Sequence, residues 1–140
     1  WYHRRLFAQL AKELIIQGDL ARAKKVLAYA EQAVPGYNVP ETYESGSYSI
    51  ATAYAALGEK MKTITLTEHL IAEAEDYINW AFSLKGNRME MVRNDCIYKF
   101  WQWNQCNELL KKVDEERYKE SNRRFEDKYA LFAPNMGYKN

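Results

Sequence analysis

The side chains best able to do chemistry in this sequence are two histidines, two cysteines, a short acidic run and a row of serines. A structural zinc needs about four nitrogen or sulfur ligands at short spacings. His3 and His69 stand alone, with no Cys or His three to five positions away, so neither opens a metal site. Cys96 and Cys106 fall in one predicted helix. Ten residues of helix separate sulfur-bearing positions by about 15 Å, whereas disulfide-bonded Cα atoms lie within about 7 Å. These two thiols therefore do not pair with each other. Glu73, Glu75 and Asp76 would suit acid/base work only with a partner group held in hydrogen-bond reach, and none is signalled, so they read as a solvated helix face. His69 has Glu73 one turn on and reads as half of a surface ion pair or as a satisfied polar contact rather than a catalytic group. Ser45, Ser47 and Ser49 lack a Gly-x-Ser-x-Gly elbow and read as helix caps. No phosphate-binding loop is present. The expectation is a chain with no catalytic, cofactor-binding or metal-binding residues, and so not an enzyme in itself.

The elements around these residues are helical. Of 140 residues 47% are hydrophobic, which is enough to bury a core, and 20 basic against 19 acidic residues leave a formal +1. That balance gives no field for a phosphate backbone, so nucleic acid is not an expected partner. No window approaches the roughly 18 apolar residues of a membrane span. No signal peptide is recognisable, and direct membrane insertion is not expected. The chain opens at Trp1 in mid-helix pattern, which suggests the C-terminal fragment of a longer protein. Only Pro35, Pro40 and Pro134 occur, and no long Val/Ile/Thr alternation supports strands.

In the first predicted helix Phe7, Leu10, Ala11 and Leu14 share a face, and Gly18 closes it. Asp19 caps the second, where Leu20, Ala23, Leu27, Ala30 and Val34 recur at three- and four-residue steps until Pro35 and Gly36. The segment VPGYNVPETYESG is the one long connection, read as an ordered loop packed through Tyr37 and Tyr43. The design then recurs: Ser45 or Ser47 as cap, Ile50, Ala51 and Tyr54 on one face, and Leu57-Gly58-Glu59 in register with Gln17-Gly18-Asp19. A long helix carries Ile64, Leu70, Ala74, Tyr77, Ile78 and Ala81 to Gly86. Asn87 and Glu90 spell a capping box for one continuous helix through Met89, Val92, Cys96, Phe100, Trp103, Cys106, Leu110 and Val113. Asp114 starts a final helix with a narrow stripe, Tyr118, Phe125, Tyr129 and Phe132, flanked by Glu115/Lys119 and Glu120/Arg124 pairs. It reads as a C-terminal capping helix.

The fold expected is all-α, about six helices in stacked antiparallel hairpins. It forms a single helical-repeat domain over 1-140, with hairpin 1 at 1-35, a loop at 36-45, hairpin 2 at 46-85 and hairpin 3 at 87-132. Phe7, Leu10, Ala11, Leu14, Ala23, Leu27, Ala30 and Pro35 make hairpin 1 resemble a tetratricopeptide repeat, the 34-residue helix-turn-helix unit. Physical reasons lie beneath the resemblance, since Ala11 and Ala23 are small where two helix axes come within roughly 8 to 10 Å. Hairpin 2 keeps Ile50, Ala51, Tyr54, Gly58 and Leu70 but has Thr63 and Thr67 where alanine and an aromatic are expected. Hairpin 3 fits in outline only, with Gln102 and Gln105 where large apolar residues belong. The resemblance implies a right-handed α-solenoid.

A second resemblance rests on VPGYNVP, SGSYSIATAYAALGE, the long helix and GNRMEMVRNDC. These are similar to the C-terminal soluble region of a bacterial multi-spanning membrane protein family of largely unassigned function. Its membrane part resembles glycosyltransferases that use lipid-linked sugars, the protein O-mannosyltransferases among them. What this implies is a periplasmic or extracytoplasmic location, with a cytoplasmic one as the alternative, and no catalytic residue to carry over.

Two functions follow as expectations: a non-catalytic protein-protein interaction or scaffold module, holding a peptide or another part of its own parent, and alternatively a small-molecule or glycan-binding accessory domain. Stacked hairpins present a concave surface from the first helix of each pair. Mapped here, that surface is Arg5, Lys12 and Ile15, then Tyr48 and Thr52. In the cluster Tyr98, Phe100, Trp101 and Trp103, Phe100 and Trp103 read as core, and Trp101 is the second candidate surface.

Overall fold

The computed structural model describes residues 2–136. Seven α-helices follow one another: α1 Tyr2–Ile16, α2 Leu20–Ala33, α3 Ser47–Ala56, α4 Lys60–Phe82, α5 Arg88–Met91, α6 Arg93–Val113 and α7 Glu115–Phe132, then a 3-10 turn at Ala133–Met136. No strand occurs among the described residues. The chain divides into two compact units, Trp1–Leu70 and Ile71–Asn140, and the division falls inside α4 rather than at a loop.

In the first unit α1 packs against both α2 and α3. Its core is built from small residues, Ala8, Ala11, Ala23, Ala30 and Ala53, filled in by Leu27, Ile50 and Tyr54. Ala11 and Ala23 are wholly buried, so each removes the Cβ-branch bulk that would hold α1 and α2 apart. The buried stripe of α1 is Arg4, Ala8 and Ala11, with Phe7, Leu14 and Ile15 at its edges. Leu10, expected on that face, is 49% exposed. It stands next to Ala11 in sequence, about 100° round the helix, while Arg4 and Ala8 continue the stripe at four- and three-residue steps.

Helices α1 and α3 stop in the same way. Gly18 and Gly58 take φ of 81° and 76°. Each donates its amide back to the third residue before it, Ile15 or Ala55, at 3.0 and 3.1 Å. The following amides of Asp19 and Glu59 reach Leu14 and Tyr54 at 2.8 and 3.0 Å. These paired bonds satisfy carbonyls a helix end leaves open, and the left-handed residue between them favours glycine. Asp19 then caps α2 by accepting from the Arg22 amide at 3.2 Å.

The start of α3 differs from expectation. Its N-cap is Gly46, at φ 95°, with no side-chain cap. Ser45 instead works inside the loop, where its hydroxyl accepts from the Thr42 amide at 3.0 Å and from Arg4 at 2.8 Å. Tyr43 packs, stacked on Tyr48 at 4.9 Å between ring centres, whereas Tyr37 is 88% exposed.

In the second unit α6 packs on α7. Phe125 meets Phe100 and Trp103 edge-on, at 5.6 and 5.4 Å between ring centres, and Phe100 lies 5.1 Å from Phe132. Asp114 caps α7 by accepting from the Arg117 amide at 3.1 Å. Beside the aromatic layer runs a buried polar relay: the Trp103 indole donates to Ser121 Oγ at 2.9 Å, and Ser121 donates to Asn107 Oδ1 at 2.6 Å. Gln102 is also buried, at a site where an apolar residue was expected. The continuous helix expected from Asn87 is broken at Val92. Asn87 makes no side-chain cap, and Glu90 pairs with Arg93 at 2.7 Å instead of reaching back to it.

Candidate functional site

The residues singled out by sequence are held in different ways. Arg5 and Lys12 are exposed, and Ile15, Tyr48 and Thr52 are half-buried. Arg5 donates to the Glu44 carbonyl at 2.9 Å, and Gly46 lies so close that a Cβ there would sit 2.9 Å from Arg5 Cγ. The Thr52 hydroxyl donates to the Ser49 carbonyl at 2.7 Å. Together with the Tyr43–Tyr48 stack, these contacts give Arg5, Tyr48 and Thr52 local structural work along α1, α3 and the loop between α2 and α3. Trp101 is 46% exposed and stacks on Tyr98, one turn back on α6, at 5.6 Å.

Other reactive groups sit in packing roles. Cys96 and Cys106 are buried free thiols. Burial pushes the Cys106 thiol up to about 12, and burial together with Asp95 pushes Cys96 up as well, so both resist forming the thiolate. His69 Nε2 donates to the Glu41 carbonyl at 3.0 Å, a satisfied polar contact. Glu75 is not simply solvated: it receives Arg124 Nε at 3.2 and 3.3 Å from α7. Among the described residues no three His, Cys, Asp or Glu side chains gather as a metal site would require. No helix among them is long and apolar enough to cross a membrane.

A cleft of about 320 Å³ in the first unit is lined from α1, α2, the loop after it, α3 and the first turns of α4. Leu27, Ala30, Ile50 and Leu66 make its apolar wall. Within the lining, Glu31 Oε1 accepts from the Tyr54 hydroxyl and from Lys62 Nζ, the latter at 3.2 Å. The same ammonium lies 5.2 Å from the centre of the Tyr54 ring. Tyr54 holds its proton well above the ordinary tyrosine range, first because it is buried, then because it donates to Glu31 and feels Glu31, Glu59 and Glu41. It is therefore a fixed donor and not a base.

Arg4 and Glu41 also line the cleft. Arg4 is 5% exposed, and its four Nη hydrogens are placed on four oxygens. Nη1 donates to the Pro40 carbonyl at 2.7 Å and Ser45 Oγ at 2.8 Å, and Nη2 to the Val34 carbonyl at 3.1 Å and the Val39 carbonyl. Burial lowers its pKa, and Glu41 opposes that shift. Arg4 thus pins the loop that forms one rim of the cleft. Sequence reasoning missed Arg4, Glu31, Met61, Lys62 and Thr65, which come together from three helices far apart in the chain. The only sequence signal was an arginine standing four residues before Ala8 on a buried stripe.

No protein family, curated protein or solved structure matches this chain.

Proposed function

We propose that this chain is a non-catalytic protein-protein interaction module made of tetratricopeptide-like hairpins in a right-handed solenoid. In this reading it is the extracytoplasmic C-terminal part of a glycosyltransferase-like membrane protein. The repeat reading is supported by the matched turns at Gly18 and Gly58, with the same φ sign and the same pair of bonds. The interaction reading is carried by the cleft: an apolar lining of Ile50, Met61 and Leu66 with fixed polar groups among it is what a peptide side chain needs for burial and orientation. Lys12 in the first unit and, separately, Trp101 in the second are exposed and remain candidate contact residues.

A second reading, a small-molecule or glycan-binding accessory role, is favoured by the cleft's volume, which falls at the low end of the roughly 300–1,000 Å³ typical of such sites. A peptide-display selection on the immobilised chain, run beside a glycan array, separates the two. Thr65 lies exposed on the cleft wall, so Thr65→Trp plugs the cleft without entering the core. Enriched peptides that lose binding to Thr65→Trp support the interaction module. Selective glycan capture with no enriched peptide would replace it with the accessory reading.

A further inference from the structure

Two cations of the protein itself line the cleft in the first unit, the buried Arg4 and the half-exposed Lys62. Lys62 Nζ sits 3.2 Å from Glu31 and 5.2 Å from the centre of the Tyr54 ring, a carboxylate and an aromatic face converging on one ammonium. Both members of the ion pair are half exposed, at 50% each. Pairs of that kind are weak and exchange readily. A carboxylate offers about four acceptor positions. Glu31, which receives Tyr54 and Lys62 on one oxygen, has room for a further donor.

The charged groups of the cleft are not equally committed. An entering anion finds no Nη hydrogen left on Arg4, because all four are placed on Val34, Val39, Pro40 and Ser45 oxygens. The charges lining the cleft balance, Arg4 and Lys62 against Glu31 and Glu41, but Arg4 is buried and fully engaged and Glu41 acts on it electrostatically, so the exchangeable pair is Lys62 with Glu31, and moving Lys62 aside leaves a carboxylate beside an aromatic face. Ile50, Met61 and Leu66 supply apolar lining suited to an aliphatic stem.

We propose that this cleft is a receptor for a single basic side chain, lysine or arginine, of a partner polypeptide, and that Lys62 is a resident placeholder which the incoming cation displaces. The aliphatic stem lies on Ile50, Met61 and Leu66. The charged head pairs with Glu31 over the Tyr54 ring. The proposal rests on the interaction-module reading and names the chemistry that module reads.

The test uses four blocked amino acids of similar reach, the Nα-acetyl N-methylamides of lysine, arginine, norleucine and glutamate, titrated into the full isotope-labelled chain and followed by amide resonances. The lysine and arginine compounds are expected to shift the signals of Ala30, Glu31, Ile50 and Leu66, norleucine more weakly and glutamate least. Lys62→Met keeps the stem and removes the competing charge, so it should tighten the basic probes by up to about five-fold. Glu31→Gln keeps an acceptor for Tyr54 and should weaken them by about ten-fold. The sign of the Lys62→Met effect is decisive, because an anion-binding cleft loses affinity in that variant. Preference for the glutamate or norleucine probe, or weaker basic-probe binding to Lys62→Met, overturns the basic-side-chain proposal while leaving an interaction module of other specificity. No shift at the cleft with any probe also overturns it, and the display selection then judges the module reading separately.

Discussion

Gly18 and Gly58, forty residues apart, adopt the same left-handed turn and are closed by the same two backbone bonds. A Cβ built at either would meet nothing within 4 Å, so the cost of a side chain there is conformational only.

Gly18→Ala and Gly58→Ala should therefore each cost about 1 kcal/mol, the penalty for holding an alanine in the left-handed region. Gly46 has the same sign of φ, but its Cβ would lie 2.9 Å from Arg5 Cγ and 3.0 Å from the Arg5 amide nitrogen. Gly46→Ala adds a clash with α1 backbone and should cost about twice as much or more. Urea midpoints of the three variants check the order; equal losses at all three positions would show that α1 yields to the loop.

Arg4→Met should destabilise by about 2–4 kcal/mol, since it strands buried oxygens that the guanidinium now satisfies. Arg4→Lys should recover only part of that loss, because three ammonium donors cannot reproduce a planar fork over four oxygens. Limited proteolysis within 36–45 supplies a second readout, with faster cleavage expected for Arg4→Met. Full recovery in Arg4→Lys would mean that charge alone, and not fork geometry, holds the loop.

Tyr54 gives the molecule an alkaline limit. Its folded pKa is raised above the ordinary value of 10.0, so the unfolded chain releases this proton first as pH rises. The stabilisation is complete below about pH 10 and declines above it as the unfolded tyrosine ionises. Tyr54→Phe should lower stability at pH 8 by about 1 kcal/mol, for the lost bond to a half-exposed carboxylate. It should also flatten the fall in stability between pH 9 and pH 11. Parallel slopes for the two proteins in denaturant titrations across that range would remove Tyr54 from the account.

What could be read from the sequence was governed by local chemistry. Gly18, Gly58, Asp19 and Asp114 act through backbone groups within a few residues of themselves, and each does what its type and position imply. Ala11 and Ala23 were legible because helical periodicity fixes a face. Arg4 was not, because every oxygen it binds comes from 34–45, and nothing in the first helix announces that loop's path. The capping box at Asn87 failed for a related reason: Glu90 has Arg93 one turn away and pairs with it. The cleft was the least legible feature, since Glu31, Tyr54 and Lys62 meet only once α2, α3 and α4 are folded together.

The relay of Trp103, Ser121 and Asn107 fixes how α6 meets α7, and it can be taken apart one member at a time. Ser121 is 3% exposed, accepts the Trp103 indole hydrogen and donates to Asn107, so Ser121→Ala leaves two buried groups without their partner. The expected loss is about 2 kcal/mol, within the range for orphaned buried polar groups. Asn107 is different, because its Nδ2 already lacks a hydrogen-bond partner in the structure. Asn107→Leu gives up one bond but also removes that unpaired donor, and the Ser121 hydroxyl can turn to a carbonyl one helical turn back. It should stay within about 1 kcal/mol of the parent, and the double variant should lose less than the sum of the singles. Urea denaturation of the four proteins yields the coupling, while the Trp103 indole proton, followed by exchange with solvent, reports on the first bond directly. If Ser121→Ala left both the midpoint and the indole protection unchanged, the relay would not hold α6 and α7 in register and the aromatic layer around Phe125 would carry that role alone.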